Sequence, residues 1–495
     1  NEEQKIRKDL KNKRRFIPIK LKDNLSWDEV SKILLHAPDL PGVEIDEGLS
    51  RYYPYADIYA HVLGYVGPVS DKDKKDNPLY MVPGFKIGKS GLERYFDYKL
   101  QGKGGTIKLE VNAYGRVMNE IERNSGEEGE SLTLTLDARL QRAAYEAFGE
   151  ESGAAVVLNV RTGEILALVS TPSFNPNLFT NGISYKHWNE LLNNERTPLV
   201  NKAVSGQYSP GSTFKVVVAL AALEAGVIDL NTRFNCSGGI DVGNIRFHCW
   251  RHSGHGSLNV VEALKHSCDI FFYETAMKLG IDRIHDMAVK LGMGNILEVG
   301  LDNEKAGIIP TKSWKKARFG TSWTHGDAAN SGIGQGYVLV TPLQLATMLA
   351  RVVNGGYAVQ PTFIKPTEKE LAKIKRLDIS TKNIEIVKRG MFEVVNGVGG
   401  TAGRARFNYN GAMMGGKTGT TQVRRISMKE RSSGILRDEQ LPWRLRNHAL
   451  FIGFTPVDNP RYAVAVIVEH GSSGSGVAAP IAGKILQKAL QLDIK

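Results

Sequence analysis

Ser209-Pro-Gly-Ser212-Thr-Phe-Lys215 opens an apolar run that continues Val216-Val-Val-Ala-Leu-Ala-Ala-Leu223, and its reading decides both the fold and the chemistry. Pro210 and Gly211 set a turn, the residues after it have helical spacing over 214–225, and Ser212 falls in the first helical turn. Ser212 and Lys215, three apart, project from one face of that helix. A neutral lysine at this spacing takes the serine proton during attack, and the helix N-terminus favours the negative charge that develops there. Alone, Ser-x-x-Lys is a common pattern, because serines cap helices and lysines line their exposed faces. Its meaning comes from what else the chain carries.

Downstream lie Ser267-Cys-Asp269 and then Lys417-Thr-Gly-Thr420, the latter in a Gly415-Gly416 setting that begins or lines a strand. Three such elements in this order describe acyl transfer from a carboxylate-bearing substrate. Ser267 passes a proton between Lys215 and the leaving amine. Lys417 supplies positive charge that keeps Lys215 neutral and attracts the carboxylate. The amides of Ser212 and Thr420 form an oxyanion hole, Thr418 and Thr420 line the substrate, and Gly419 leaves the strand edge open to an incoming backbone.

Working outward, a polar stretch over residues 124–130 separates a basic, aromatic-rich N-terminal part from Leu132-Thr-Leu-Thr-Leu136, which alternates like a strand. This sets two domains, residues 1–130 and 131–495. Asp137 caps a helix through Phe148, and 154–159 with 164–169 read as a β-hairpin. Helical spacing recurs at 260–279, 343–353 and 481–492, while 413–420, 449–454 and 462–468 read as strands. The expected class is α+β: a central antiparallel sheet covered by N- and C-terminal helices with a helical lobe inserted, preceded by a mixed α/β pedestal. In that first part Ser26 caps a helix over 27–35, and 84–89 and 102–105 read as loops.

Composition excludes more than it assigns. The 495 residues carry a formal net charge of +12, with basic clusters at 5–22 and 424–446. Such a balance favours anionic partners, but no nucleic-acid module accompanies it. No apolar stretch is long enough to cross a bilayer, and the first residue is Asn1, so the chain reads as truncated. Segment 424–446 lies between two expected strands, where it overhangs the cleft or forms a loop, with Trp443 placed to meet substrate.

The three cysteines, Cys236, Cys249 and Cys268, fall in one region with His255. A Cys₃His set completes a tetrahedral zinc site that braces the Ser267 loop. The alternatives are a Cys236–Cys249 disulfide with Cys268 buried, or three unrelated thiols, and His248 and His252 are rival ligands. Any metal here is structural, since Ser–Lys chemistry needs none.

Ser212-Thr-Phe-Lys215, Ser267-Cys-Asp269 and Lys417-Thr-Gly419 resemble the three motifs of penicillin-binding proteins. Gly332-Ile-Gly-Gln-Gly-Tyr337, Thr341-Pro-Leu-Gln344 and the stretch 471–480 resemble the class B, monofunctional transpeptidase domain. Arg51-Tyr-Tyr-Pro-Tyr55, His61-Val-Leu-Gly-Tyr65, Gly91-Leu-Glu-Arg-Tyr95 and Asn112-Ala-Tyr-Gly-Arg116 resemble its pedestal, closest to the penicillin-binding protein 2 branch of the elongation machinery. The resemblance implies peptidoglycan D,D-transpeptidation: Ser212 attacks the penultimate D-Ala of a stem peptide, releases the terminal D-Ala and passes the acyl group to a neighbouring amine. It also implies acylation by β-lactam antibiotics and an inner-membrane anchor missing from this chain, with the catalytic domain in the periplasm. The implied partners are the SEDS glycosyltransferase of the rod complex and the periplasmic rod-shape scaffold protein. The usual Arg-Gly-x-Ile segment of the pedestal head is missing, and Asp269 stands where the family commonly has Asn. An ionised Asp269 tends to raise the Lys215 pKa and opposes its role as base.

Other activities share these residues. A serine β-lactamase needs a base for deacylating water after the second motif, whereas Glu190-Leu-Leu-Asn193 precedes Ser212. A D,D-carboxypeptidase differs only in using water as acceptor, and a non-catalytic β-lactam sensor or scaffold keeps the motifs without turnover.

Overall fold

The computed structural model describes residues 6, 7, 19, 21, 22, 25–45, 50–70, 73, 77–82, 84–113, 117–180, 182–424, 430 and 436–494. The chain divides into two compact units, Asn1–Leu132 with Phe174–Leu191, and Thr133–Ser173 with Leu192–Lys495. The return of 174–191 to the first unit has no signal in the composition.

In the first unit, helix α1 (Trp27–Leu35) is closed by a capping box between Ser26 and Glu29. Strands β1 (Val66–Pro68) and β2 (Lys86–Gly88) pair antiparallel, so the loop expected over 84–89 carries a short strand instead; helix α2 (Gly91–Tyr95) follows. Glu93 on α2 is 7% exposed and takes a bidentate pair from Arg51, at 2.6 and 3.0 Å. Tyr53 OH donates to Glu93 Oε1 at 3.3 Å and accepts from Val66 N–H at 3.0 Å. Two pedestal motifs are thereby tied by one buried carboxylate. Asn177 exchanges two 2.9 Å bonds with the Tyr53 backbone, and Phe179 stacks on Tyr65 at 4.5 Å, which fixes the returning segment. An exposed hairpin, β3 (Thr106–Val111) and β4 (Val117–Asn124), completes the unit; Tyr114, Gly115 and Arg116 of the fourth pedestal motif lie outside the described residues.

The second unit is built on a five-stranded, wholly antiparallel sheet. Its strands are β5 (Gly153–Asn159), β6 (Ile165–Thr171), β11 (Gly415–Thr421), β12 (His448–Thr455) and β13 (Tyr462–Val468), in the order β11-β12-β13-β5-β6. All residues of β5, β6 and β13 are buried, as strands covered on both faces require. Helices α3 (Ala138–Glu146) and α10 (Ala479–Leu492) pack one face, with Leu140, Ile485 and Leu486 against Val157, Val464 and Val466. Helix α8 (Pro342–Val353), buried along its whole length, packs the other. The α+β expectation holds. The alternating stretch 132–136 is not a strand: Thr135 N–H donates to Phe363 O at 2.8 Å and its hydroxyl to Ile165 O at 2.8 Å, single bonds that make it a connector.

A helical lobe lies between β6 and β11. It includes α4 (Lys215–Glu224), α5 (Val260–Lys265), α6 (Asp269–Leu279), α7 (His325–Gly332) and α9 (Thr381–Asn396). Two short hairpins precede α5: β7 (Phe234–Cys236) pairs with β10 (Gly256–Leu258), and β8 (Gly239–Val242) with β9 (Ile245–His248). The single helix expected over 260–279 is two, broken where Ser267 adopts φ +52°.

Candidate active site

Residues Gly211–Phe214 form a 3₁₀ turn and the α-helix begins at Lys215, one turn later than the sequence suggests. Three glycines let backbones close on this turn. Gly211 has φ +53° and donates its N–H to Gly334 O at 2.9 Å. Gly334, at φ +67°, has no room for a Cβ, which would collide with Gly211 O. A Cβ on Gly419 would stand 3.0 Å from Pro210 O and from Thr213 Cγ2, so this glycine makes room for the Ser212 turn. Thr421 Oγ1 donates to Ser209 O at 2.7 Å and locks the turn onto β11. Ser212 is half-buried, and its amide N–H has no hydrogen-bond partner among the described residues, leaving it free to hold an oxyanion.

The helix break at 266–268 delivers the second motif. Lys215, fully buried, donates from Nζ to Asp269 Oδ1 at 2.7 Å, Ser267 O at 2.9 Å and Ser267 Oγ at 3.3 Å. Those bonds use its three donors, and Ser212 Oγ is not among the acceptors. Lys417, also fully buried, donates to Ser267 Oγ at 2.9 Å and to Thr418 O at 3.1 Å. Ser267 Oγ thus accepts from both lysines, which occupies its two lone pairs and frees its proton to donate outward. Burial, then the positive charge of Lys215, pushes Lys417 well below the usual lysine value, with Asp269 opposing. Lys215 has the Asp269 carboxylate as its partner, and Lys417 has no carboxylate within hydrogen-bond distance among the described residues.

Asp269 opens α6, and its Oδ2 accepts the Trp250 N–H at 2.9 Å. Trp250 follows Cys249, and its indole N–H also donates to His266 O at 3.0 Å, so with Cys268 lying between Ser267 and Asp269 the cysteine region is joined directly to the second motif. No sequence pattern marks Trp250. Strand β11 is an edge of the sheet; Thr418 is 7% exposed and Thr420 is exposed. Thr418 Oγ1 lies 2.8 Å from Thr401 Oγ1, and Thr420 Oγ1 accepts from Gly474 N–H at 3.3 Å. Trp443 is enclosed between the Arg196 guanidinium, 5.5 Å away, and the His470 ring, 4.5 Å away; residues 425–429 and 431–435 of its segment lie outside the described residues.

Cys236, Cys249, Cys268 and His255 place their donor atoms within 4.8 Å of one another, and all three thiols are free of disulfides. His255 Nδ1 lies 3.6 Å from both Cys236 Sγ and Cys249 Sγ. A tetrahedral zinc with ordinary Zn–S and Zn–N bonds sets its sulfur and nitrogen ligands roughly 3.6 Å apart, so the donor set fits. The hydrogen bond from Cys268 holds the Cys249 thiol down at about 5, and the same bond with burial pushes the Cys268 thiol up. His248 is a strand residue whose carbonyl accepts from Tyr273 OH at 3.3 Å, and neither it nor His252 belongs to the cluster.

The sequence matches the penicillin binding protein transpeptidase domain over residues 153–487 and the penicillin-binding protein dimerisation domain over 1–134. It is 37% identical over 487 residues to the peptidoglycan D,D-transpeptidase MrdA of Escherichia coli K12, covering 95% of this chain and 76% of that protein. The Haemophilus influenzae MrdA is 36% identical over 503 residues, covering 98% and 76%. Among solved structures, PBP2 of Pseudomonas aeruginosa in complex with WCK 5153 is 34% identical with a TM-score of 0.75, covering 90% of this chain and 93% of that one. The complex of PBP2 and MreC from Helicobacter pylori gives 30% and 0.84, covering 99% and 90%. The chain belongs to the class B penicillin-binding proteins, in the PBP2/MrdA group of peptidoglycan D,D-transpeptidases that cross-link the cell wall.

Proposed function

We propose that Ser212 carries the acyl-enzyme of this transpeptidase, with Lys215, Ser267, Asp269 and Lys417 managing the protons and charge around it. The supporting observation is the convergence of three motifs on one hydroxyl: Ser267 Oγ receives Lys215 at 3.3 Å and Lys417 at 2.9 Å. Ser212 Oγ attacks the penultimate D-Ala carbonyl, and its proton enters the Lys215–Ser267–Lys417 set. The carbonyl oxygen takes negative charge facing the N–H groups of Ser212 and Thr420. As the C–N bond breaks, Ser267 hands a proton to the departing D-Ala amine. An amine of a neighbouring stem then attacks the ester, loses its proton to the same set, and restores Ser212. Thr418, Gly419 and Thr420 line the donor peptide, with the threonine hydroxyls on its terminal carboxylate. Asp269 orients Lys215 from one oxygen while Trp250 N–H holds the other.

Residues 1–130, joined by the returning segment 174–191, serve as pedestal, and the rest of 131–495 as the catalytic domain. Cys236, Cys249, His255 and Cys268 hold a structural zinc that steadies the Cys249–Trp250 backbone; the ion takes no part in bond making. The pedestal binds a periplasmic rod-shape scaffold protein, by analogy with the Helicobacter pylori complex with MreC, and a SEDS glycosyltransferase supplies the glycan strands. The transpeptidase unit works in the periplasm, attached to the inner membrane by an N-terminal anchor; no helix among the described residues is long and apolar enough to cross a membrane. Intact-mass analysis after incubation with a penicillin, with mapping of the modified peptide, tests the central assignment: one adduct on Ser212 is expected. An adduct elsewhere, or one that persists in Ser212→Ala, refutes it.

A further inference from the structure

Thr401 stands in none of the three motifs, yet its Oγ1 is 2.8 Å from Thr418 Oγ1 on β11. Its loop, 397–403, is held tightly where α9 ends. Gly400 presses on the helix so closely that a Cβ would stand 2.5 Å from the carbonyl oxygens of Glu393 and Val394, and Ala402 N–H donates to Val394 O at 2.9 Å. The loop also meets the approach to the second motif: a Cβ on Gly399 would stand 3.5 Å from His266 Cε1, one residue before Ser267. Thr401 is therefore a fixed hydroxyl, positioned by backbone contacts and aimed at the strand that faces substrate.

We propose that Thr401 is a positioning residue for the substrate carboxylate: its hydroxyl donates to Thr418 Oγ1 and so leaves the Thr418 proton free to donate to the carboxylate of a stem peptide or β-lactam. This rests on the assignment of Thr418 to carboxylate binding above. Each hydroxyl has one proton, so in a pair at 2.8 Å one must donate and the other accept. Were Thr418 the donor, it would turn lone pairs toward an anion; the opposite polarity is the one an anion selects. Thr420 follows the same rule, since its oxygen accepts the Gly474 N–H at 3.3 Å and its proton is likewise unspent. Two neighbouring segments thus occupy the acceptor sides of two adjacent hydroxyls, and both protons point at substrate.

The test compares acylation by benzylpenicillin with acylation by its methyl ester, which lacks the anionic carboxylate, in native protein and in Thr401→Val, Thr401→Ser, Thr418→Val and Ser212→Ala. Loss of one orienting hydrogen bond predicts that Thr401→Val slows reaction with the acid by about tenfold, through weaker half-saturation, and leaves the ester rate unchanged. Thr401→Ser restores the acid rate. The acid-to-ester ratio is internal to each protein and reads the same in a partly destabilised variant. Equal acid-to-ester ratios in native protein and Thr401→Val would overturn the role of Thr401. A lowered ratio in Thr418→Val alone would do so while leaving the carboxylate assignment intact. An adduct in Ser212→Ala, by contrast, would refute the nucleophile on which the site rests.

Discussion

Lys215 is fully buried and its carboxylate partner, Asp269 Oδ1, lies 2.7 Å away with the Asp269 side chain 12% exposed. At that separation two unit charges in an effective dielectric of about 20 attract by roughly 6 kcal/mol. Removing both groups from water offsets much of this, so the pair adds little net stability, while losing one partner costs about 3–5 kcal/mol. A double-mutant cycle reads that asymmetry. Lys215→Met leaves a carboxylate without its cation, and Asp269→Asn leaves the buried cation facing an amide that still accepts the Trp250 N–H. Each single change is expected to cost about 3 kcal/mol or more, and the double variant little more than either one, a coupling energy of about 3 kcal/mol. Urea denaturation of the four proteins at one pH, following the transition of the transpeptidase unit, supplies the numbers. Additive losses, with coupling below about 1 kcal/mol, would refute the closed, low-dielectric picture of the site.

Three further outcomes follow from the same geometry. Because the folded chain holds Lys417 well below the ordinary lysine value, it binds fewer protons than the unfolded chain between that lowered value and about 10.4. Stability should therefore rise with pH across this window, and Lys417→Met should reduce the slope by as much as about 1.4 kcal/mol per pH unit, measured by denaturation at a series of pH values; an unchanged slope contradicts the assignment. Gly419→Ala puts a Cβ 3.0 Å from Pro210 O and Thr213 Cγ2; shifting the turn by a few tenths of an ångström should slow penicillin acylation by about ten- to a hundredfold while costing only about 1–3 kcal/mol of stability. Protein purified without added metal should contain one zinc, and stripping it should lower the melting temperature on the order of 10 °C; a metal-free preparation with unchanged melting removes the site.

The side chains of the three motifs could be picked out in the sequence because their types and order form a recognisable set, and the helices and strands that hold them because their apolar periods are strong. The hairpin of β5 and β6, the cap at Asp137 and the helix over 27–35 all follow from local rules. What escaped depends on contacts between distant residues. The run 260–279 reads as one helix since no local residue forbids it; the break exists with Ser267 at φ +52°, its carbonyl and hydroxyl bonded by Lys215 and its hydroxyl by Lys417. Gly334 and Gly419 announce only flexibility in the sequence, whereas in the fold they admit the Ser212 turn. Trp250 acts through a backbone N–H, which no side-chain pattern reports. The full burial of Lys215 and Lys417 was hidden because charge type is written in the sequence and burial is not.

The lock between Thr421 and Ser209 joins residues 212 apart in sequence, and the bond from Lys417 to Ser267 joins residues 150 apart. A chain that folds as it emerges therefore displays Ser212 long before the strand that completes its surroundings exists. Until β11 docks, the serine is an ordinary hydroxyl on a helix end, inert toward β-lactams and stem peptides alike. On the proposed assignment of Ser212, covalent labelling by a penicillin is then a clock: the moment it becomes possible is the moment β11 has docked beside the Ser212 turn.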